Sequence, residues 1–344
     1  MENNSPKALG YVVVTDYIEA NTGKDVSDDI QKIIDENPMR TIYFPDGEYI
    51  LAKPICTSAR PAASVSLHLS CFAVLKASDD WSSSEAMVRL GAAEHYNTIY
   101  ENGSNYYFTG GVVDGNMVAN GISIESGRET SVRNTSIKHT FIGLHIKHGS
   151  NGNSSDADIE AVHIVGNNKK NSVGVLIEGC DNTLSNMRIA AVQTGVMVKS
   201  SGNFFRNIHP LFIFGYEYGG VDDIRYEDSV AFHDFEPSNW FDYCYSDNMA
   251  TGFLLEEASK SILLNCYVMW YSERGNYETA IRSVGKFNAS VTNLKISFRK
   301  DTTNNSVLLV GKKGGRGFIE NPIMHPEHVQ NNTYKKYLKG KAIW

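Results

Sequence analysis

Residues 131–139 read SVRNTSIKH, and the same outline returns as DIEAVHIVG (158–166), TLSNMRIAA (183–191), FFRNIHPLF (204–212), PSNWFDYCY (237–245), ILLNCYVMW (262–270) and SVTNLKISF (290–298). Aligned, these stretches put Asn134, Ala161, Asn186, Asn207, Asn239, Asn265 and Asn293 in one column, at steps of 27, 25, 21, 32, 26 and 28 residues. A period in the twenties with a short apolar strand per unit marks a solenoid, in which each repeat buries its face only against its neighbours. Asparagine suits a tight inner turn, because its amide tolerates a left-handed backbone and bonds the same residue one rung away.

A second column runs in step with the first. Gly121-Ile122-Ser123-Ile124, Gly143-Leu144-His145-Ile146, Gly174-Val175-Leu176-Ile177, Gly195-Val196-Met197-Val198 and Gly252-Phe253-Leu254-Leu255 each read as a turn glycine followed by apolar residues on alternate positions. Every repeat therefore holds at least two short strands, with residues such as Val196 and Val198 facing a stacked interior. A β-sandwich of hairpins would need two-residue Asn-Gly or Asp-Gly turns, and these are scarce.

Residues 21–51 read NTGKDVSDDIQKIIDENPMRTIYFPDGEYIL. This segment resembles the entry of the pectate-lyase-like, single-stranded right-handed β-helix superfamily, whose polysaccharide-active members share a scaffold rather than a reaction. The resemblance runs from about Asp25 to about Val310 and implies a capping helix after Asp25, followed by a first rung at Thr41–Tyr49. The residues agree. Ser27 reads as an N-cap, Asp28 and Asp29 suit the positive helix end, and Val26, Ile30, Ile33 and Ile34 form one apolar stripe. The expected architecture is all-β, a right-handed parallel β-helix in one domain over 1–344. It has a cap near 20–40, a β-helix near 41–310 with an insertion at 211–228, and a C-terminal tail near 311–344.

The chain has 344 residues, 42% hydrophobic, with a net charge of −7. Its basic residues form no stripe suited to nucleic acid, so no nucleic-acid partner is expected. Five cysteines without paired spacing point to free, buried thiols rather than a disulfide framework or a zinc site. No run of about eighteen apolar residues suggests a membrane partner. The opening MENNSPKALG lacks an apolar signal stretch, so the chain as given reads as cytoplasmic, or as secreted with its leader removed.

Function is sought where the repeat is interrupted. Between Asn207 and Asn239 lies LFIFGYEYGGVDDIRYEDSVAFHDFEP, with Tyr216 and Tyr218 among its aromatics and Asp222 and Asp223 among its acids. Insertions in a solenoid wall a groove along its edge. Rings with carboxylates there describe a carbohydrate site, since sugar C–H faces stack on rings while acids bond hydroxyls or move protons. The outward column two places past each asparagine reads Ser136, His163, Arg188, His209, Phe241, Tyr267 and Lys295, which adds rings and cations to that wall. On the other sheet Glu125, Lys147, Glu178, Lys199 and Glu256 read as a ladder of surface ion pairs.

Tyr245-Ser246-Asp247 and Tyr271-Ser272-Glu273 stand at the same offset from Asn239 and Asn265. Stacked in register, Asp247 and Glu273 would lie about 4.8 Å apart, near the roughly 5 to 5.5 Å used by retaining glycosidases. Asp242 has inward parity in this alignment, so a bulge turns it out or the strand ends early. The leading pair is Asp247 with Glu273, and Asp242, Asp222 and Asp223 are reserves. Arg188, His209, Tyr216, Tyr218, His233, Phe241, Tyr243, Tyr267 and Tyr271 are the expected substrate contacts.

Polygalacturonase-type hydrolases of the superfamily bear Asn-Thr-Asp, Asp-Asp, Gly-His-Gly and Arg-Ile-Lys motifs. Only Asp222-Asp223 matches, and it lies in the insertion, so those roles do not transfer. The expected activity is glycoside hydrolysis of a poly- or oligosaccharide with no cofactor and no metal site. The alternatives are a polysaccharide lyase, which would call for calcium, a fructan-processing transferase or hydrolase, and a non-catalytic glycan-binding phage-tail or adhesion module. The resemblance also admits a homotrimer.

Overall fold

The computed structural model describes residues 5–94, 107–147, 154–213, 224–270, 278–298 and 305–340. Contacts group the chain into two compact units that meet in sequence between Asn167 and Asn168. Each unit is built from coils of right-handed parallel β-helix. A coil has three short strands. The first, such as Asn120–Ile124 in one unit or Thr194–Val198 in the other, pairs in parallel with the first strand of a neighbouring coil in its own unit. The second and third strands, such as Ser131–Arg133 and Ser136–Thr140, flank a short corner, here Asn134 and Thr135, and belong to a second sheet that bends there.

The corner explains the asparagine column and corrects one of its members. Asn134 and Ala161 in the first unit have φ of 53° and 53°, and Asn186, Asn207, Tyr243, Asn265 and Asn293 in the second have φ of 57°, 52°, 54°, 53° and 55°. The left-handed residue of the fifth coil is thus Tyr243, not Asn239. The irregularity lies in the strand Pro237–Asp242, whose pairing with Lys260–Leu264 shifts between Pro237 and Trp240. Beyond the shift Phe241 pairs with Leu263 and Asp242 with Leu264. The amides bond rung to rung as the repeat implies: Asn207 Nδ2 donates to Asn186 Oδ1 at 2.9 Å, and Asn293 Nδ2 to Asn265 Oδ1 at 3.0 Å.

Asn239 belongs to a different ladder, wholly inside the second unit. Asn182 Nδ2 donates to Asn203 Oδ1 at 2.9 Å, Asn203 Nδ2 to Asn239 Oδ1 at 3.2 Å, and Asn239 Nδ2 to Asp234 Oδ1 at 2.8 Å. All four residues are buried, so each polar group finds its partner within the core.

Around that ladder the interior is aromatic. Phe205 stacks on Phe241 and Phe232 on Phe253, both at 4.8 Å, while Phe241 meets Phe232 and Phe253 edge-on at 5.5 and 5.7 Å. Parallel coils place equivalent residues one inter-strand step apart, which suits offset stacking. The glycines of the second sequence column are not turn residues. They lie within the first strands: a Cβ on Gly195 would stand 2.5 Å from Pro210 Cβ and 2.6 Å from the Ala231 carbonyl oxygen, so only glycine admits that approach.

At the N-terminus α1 (Ser27–Glu36) buries Ile30, Ile33 and Ile34, as its apolar stripe requires. Ser27 is its first residue rather than its cap. Asp25 Oδ1 accepts the Ser27 amide at 2.9 Å and the Ala52 amide at 3.0 Å, tying the helix start to the first coil. Gln31 acts as a short strand mimic. Its Oε1 accepts the Cys56 amide at 2.7 Å and its Nε2 donates to the Cys56 carbonyl at 3.0 Å, which satisfies backbone at the open edge of the strand Ile55–Ser58. All five cysteines are free, but only Cys244 and Cys266 are buried. Cys71 is exposed.

Candidate functional site

The corner at Tyr243 decides which residues share the outer face of the third strands in the second unit. Arg188 pairs with His209, Leu211 pairs with Asp247, and Tyr245 pairs with Tyr267, which pairs with Lys295. The outward column is therefore Arg188, His209, Tyr245, Tyr267 and Lys295. Tyr245 holds the place the sequence column gives to Phe241, which is fully buried in the aromatic core and offers no face to a ligand. The signal for the true register is present in the chain: Cys244 and Cys266 each follow a corner residue by one, 22 residues apart.

These side chains form a continuous stack. The His209 and Tyr245 rings lie 4.1 Å apart at 21°, the Tyr245 and Tyr267 rings 4.8 Å apart at 12°, and Lys295 Nζ sits 4.7 Å from the Tyr267 ring centroid. Tyr267 Oη and Ser297 Oγ are hydrogen-bonded at 3.1 Å. Arg188 is exposed at the other end, its Nη1 donating to the Met187 carbonyl at 3.1 Å. Half-buried rings with Lys295 over one end, and with Arg188 next in register beyond His209, make an amphipathic strip. The tyrosine rings turn their faces to their neighbours in the stack and their edges outward.

Asp247 adjoins this strip, on the same strand as Tyr245 and two residues beyond it. The residue is only 8% exposed. Oδ2 lies 3.2 Å from His209 Nε2, while Oδ1 is buried with no hydrogen-bond partner. Such an oxygen retains a desolvation cost, and a ligand donor would meet it only after its neighbours moved aside. The backbone holds the residue in place, since the Asp247 carbonyl accepts the Phe212 amide at 3.0 Å and the Asn248 amide donates to the Met269 carbonyl at 2.8 Å.

Across from Asp247 the next strand presents Met269, in the register where the sequence reading expects Glu273. The four-residue difference between Asn239 and Tyr243 as the corner moves the register by the same amount. Glu273, Asp222, Asp223, Tyr216, Tyr218 and Tyr271 lie outside the described residues. Asp242 faces outward before the corner, 3.8 Å from Arg206 and accepting from Asn265 Nδ2 at 3.3 Å, on the other limb of the bend from Asp247. Tyr243 is the exposed corner itself. His233 lies on the other sheet, bonded to Glu256 at 2.8 Å and stacked on Phe235 at 4.2 Å. It does not join the strip. Among the described residues no group of three or more His, Cys, Asp or Glu side chains could hold a metal ion.

The ion-pair ladder of the first sheets is partly as read. Glu125 meets Arg89 at 2.8 Å and Lys147 at 3.3 Å, and Lys199 meets Glu178 at 3.6 Å, whereas Glu256 turns to His233.

No family model matches the chain, and no curated protein matches it in sequence. Solved structures do match in shape. The catalytic domain of a GH87 α-1,3-glucanase in complex with nigerose superposes with a TM-score of 0.63 at 12% identity, over 94% of this chain and 60% of that one. A tailspike protein of E. coli bacteriophage HK620 gives 0.65 at 11% identity, over 95% of this chain and 68% of that one. The enzymatically active domain of tailspike protein 2 of bacteriophage CBA120 gives 0.56 at 11%, over 91% and 47%. The chain thus spans less than two thirds of the glucanase domain it resembles. In fold, this chain is a right-handed parallel β-helix, as those structures are.

Proposed function

We propose that this protein is carbohydrate-active and binds a poly- or oligosaccharide along the strip from Arg188 to Lys295, with Asp247 as the reacting carboxylate of a glycoside hydrolase. One observation supports this above the others. A nearly buried carboxylate has one oxygen on His209 and the other unsatisfied, beside a row of half-buried ring edges flanked by cations that offers a saccharide both apolar and polar contacts. A carboxyl beside such a strip accepts from a sugar hydroxyl when ionised, or donates its proton to a glycosidic oxygen when protonated. His209 would position the carboxylate and set its hydrogen bonding, while Tyr245 and Tyr267 would align the chain of sugars. That glucanase and tailspike structures share the fold agrees with the reading.

The experiment is incubation with a panel of glycans followed by chromatography of the products, with Asp247→Asn alongside. Shortened products that vanish in the variant, with the folded state kept, support hydrolysis. A second reading is favoured by Met269 standing where a second acid was expected: the strip grips glycan without cutting it. In that case ligand binding is saturable and no product forms in either protein.

A further inference from the structure

A second feature of the same unit lies on the outer face of the second strands, away from Asp247. A cleft of about 660 Å³ is lined by Lys260, Lys286, Asn288, Gly315 and Arg316. Among the described residues three cations and no acid line it, in a chain whose net charge is −7. Lys260, Lys286 and Arg316 are exposed, and among the described residues none of them forms an ion pair. The nearby Glu257 is already held by Lys312, at 2.6 and 2.7 Å.

The cleft is also held in shape. Asn288 Oδ1 accepts the Arg316 amide at 3.1 Å and its Nδ2 donates to the Lys286 carbonyl at 3.3 Å, so one amide links the turns bearing two of the cations. Gly315 has φ of +123°, and a Cβ there would stand 2.1 Å from the Phe287 carbonyl oxygen. Only glycine lets this turn lie so close. Two residues after Lys260, Asn288 and Arg316, the outer face continues as Ile262, Ser290 and Phe318 in register, and Trp240 pairs beside Ile262, 37% exposed. The cations therefore border a partly apolar wall.

We infer that this cleft binds an oxyanion substituent of a glycan, a sulfate or phosphate ester or a uronate carboxylate, with Lys286 and Arg316 holding the anion and the wall at Ile262 and Trp240 meeting the sugar. A concave site of one charge sign concentrates counter-charged groups, and the arginine fork matches a planar or tetrahedral oxyanion. That the oxyanion rides on a sugar rests on the carbohydrate reading above; the anion site itself does not.

The test is calorimetric titration of the full chain and of Lys286→Gln/Arg316→Gln with sodium sulfate, sodium phosphate and sodium glucuronate. Sulfated, phosphorylated and uronate oligosaccharides, a neutral oligosaccharide and a single-stranded oligonucleotide follow. The expected result is saturable binding of a charged oligosaccharide, tighter than its free anion, weakened about tenfold or more in the variant and weakening with salt. Unchanged affinity in the variant, or no saturable binding of any anion, overturns the site. A free anion binding as well as its oligosaccharide, or the oligonucleotide binding tightest, overturns the glycan assignment. Both substituted residues are exposed, so an unchanged unfolding midpoint separates lost binding from lost fold. Asp247 is untouched, so turnover and anion binding fail independently.

Discussion

Asp234 and Asp247 put the same functional group to two uses. Asp234 is fully buried, and burial raises its pKa above the ordinary 3.8, although Ser259, Ser261 and Asn239 all donate to it and favour its charged form. An acid whose pKa rises on folding binds its proton more readily in the fold. Its contribution is therefore fully present below the ordinary value and is lost as pH climbs through the raised one. Asp234→Asn removes the buried charge and keeps the shape. We expect its thermal midpoint at pH 7 to equal or exceed that of the parent, the advantage shrinking below about pH 4. Asp234→Ala strands four donors, the Glu236 amide among them, and costs about 2–3 kcal/mol, measured by urea unfolding. Asp247 differs because one oxygen has no partner, and removing it strands far less. Asp247→Asn should leave the unfolding midpoint nearly unchanged. A large loss of stability there would assign Asp247 to the core rather than to a site.

At the scale of the element, the corner between second and third strands sets everything outward of it. Tyr243 adopts φ of 54° where the neighbouring coils use asparagine. A left-handed tyrosine costs roughly 1–2 kcal/mol relative to a permissive residue, and its phenol, 58% exposed, recovers little by burial. Tyr243→Asn should stabilise the protein by about 1 kcal/mol and extend the amide ladder toward Asn265. A loss of stability would show that the ring matters to its neighbours. The repeat, the strands, the capping helix and most corners are legible in the sequence, because left-handed asparagines and alternating apolar residues leave direct marks. The fifth corner is not, because a tyrosine occupies it while a core asparagine stands four residues earlier. That one slip placed Phe241 outside, Asp242 inside and Glu273 beside Asp247, and it hid Tyr245. The deeper regularity was the repeated Cys244 and Cys266, whose thiols both donate to strand carbonyls in the interior.

Across the whole molecule, charge is arranged locally rather than as one field. In the first unit Glu125 is driven upward by burial but more strongly downward by Arg89, Ser123 and Lys147, and its pKa falls from 4.5 to about 2. A depressed acid contributes stability that is present above its ordinary pKa and lost as pH drops through the folded value. Unfolding followed between pH 5 and pH 2 should therefore show a loss that Glu125→Gln lacks, of roughly 3 kcal/mol at most. The second unit holds the acid-and-ring strip on its third strands and the basic cleft on its second strands. A parallel coil makes such surfaces by repetition, since every rung adds one side chain to each outward column.

The most direct measurement is product release from a glycan panel by the parent and by Asp247→Asn, at equal folded fraction. The account predicts shorter saccharides from at least one glycan, with the variant slower by about 10²–10⁴-fold. Equal product from both proteins would contradict it.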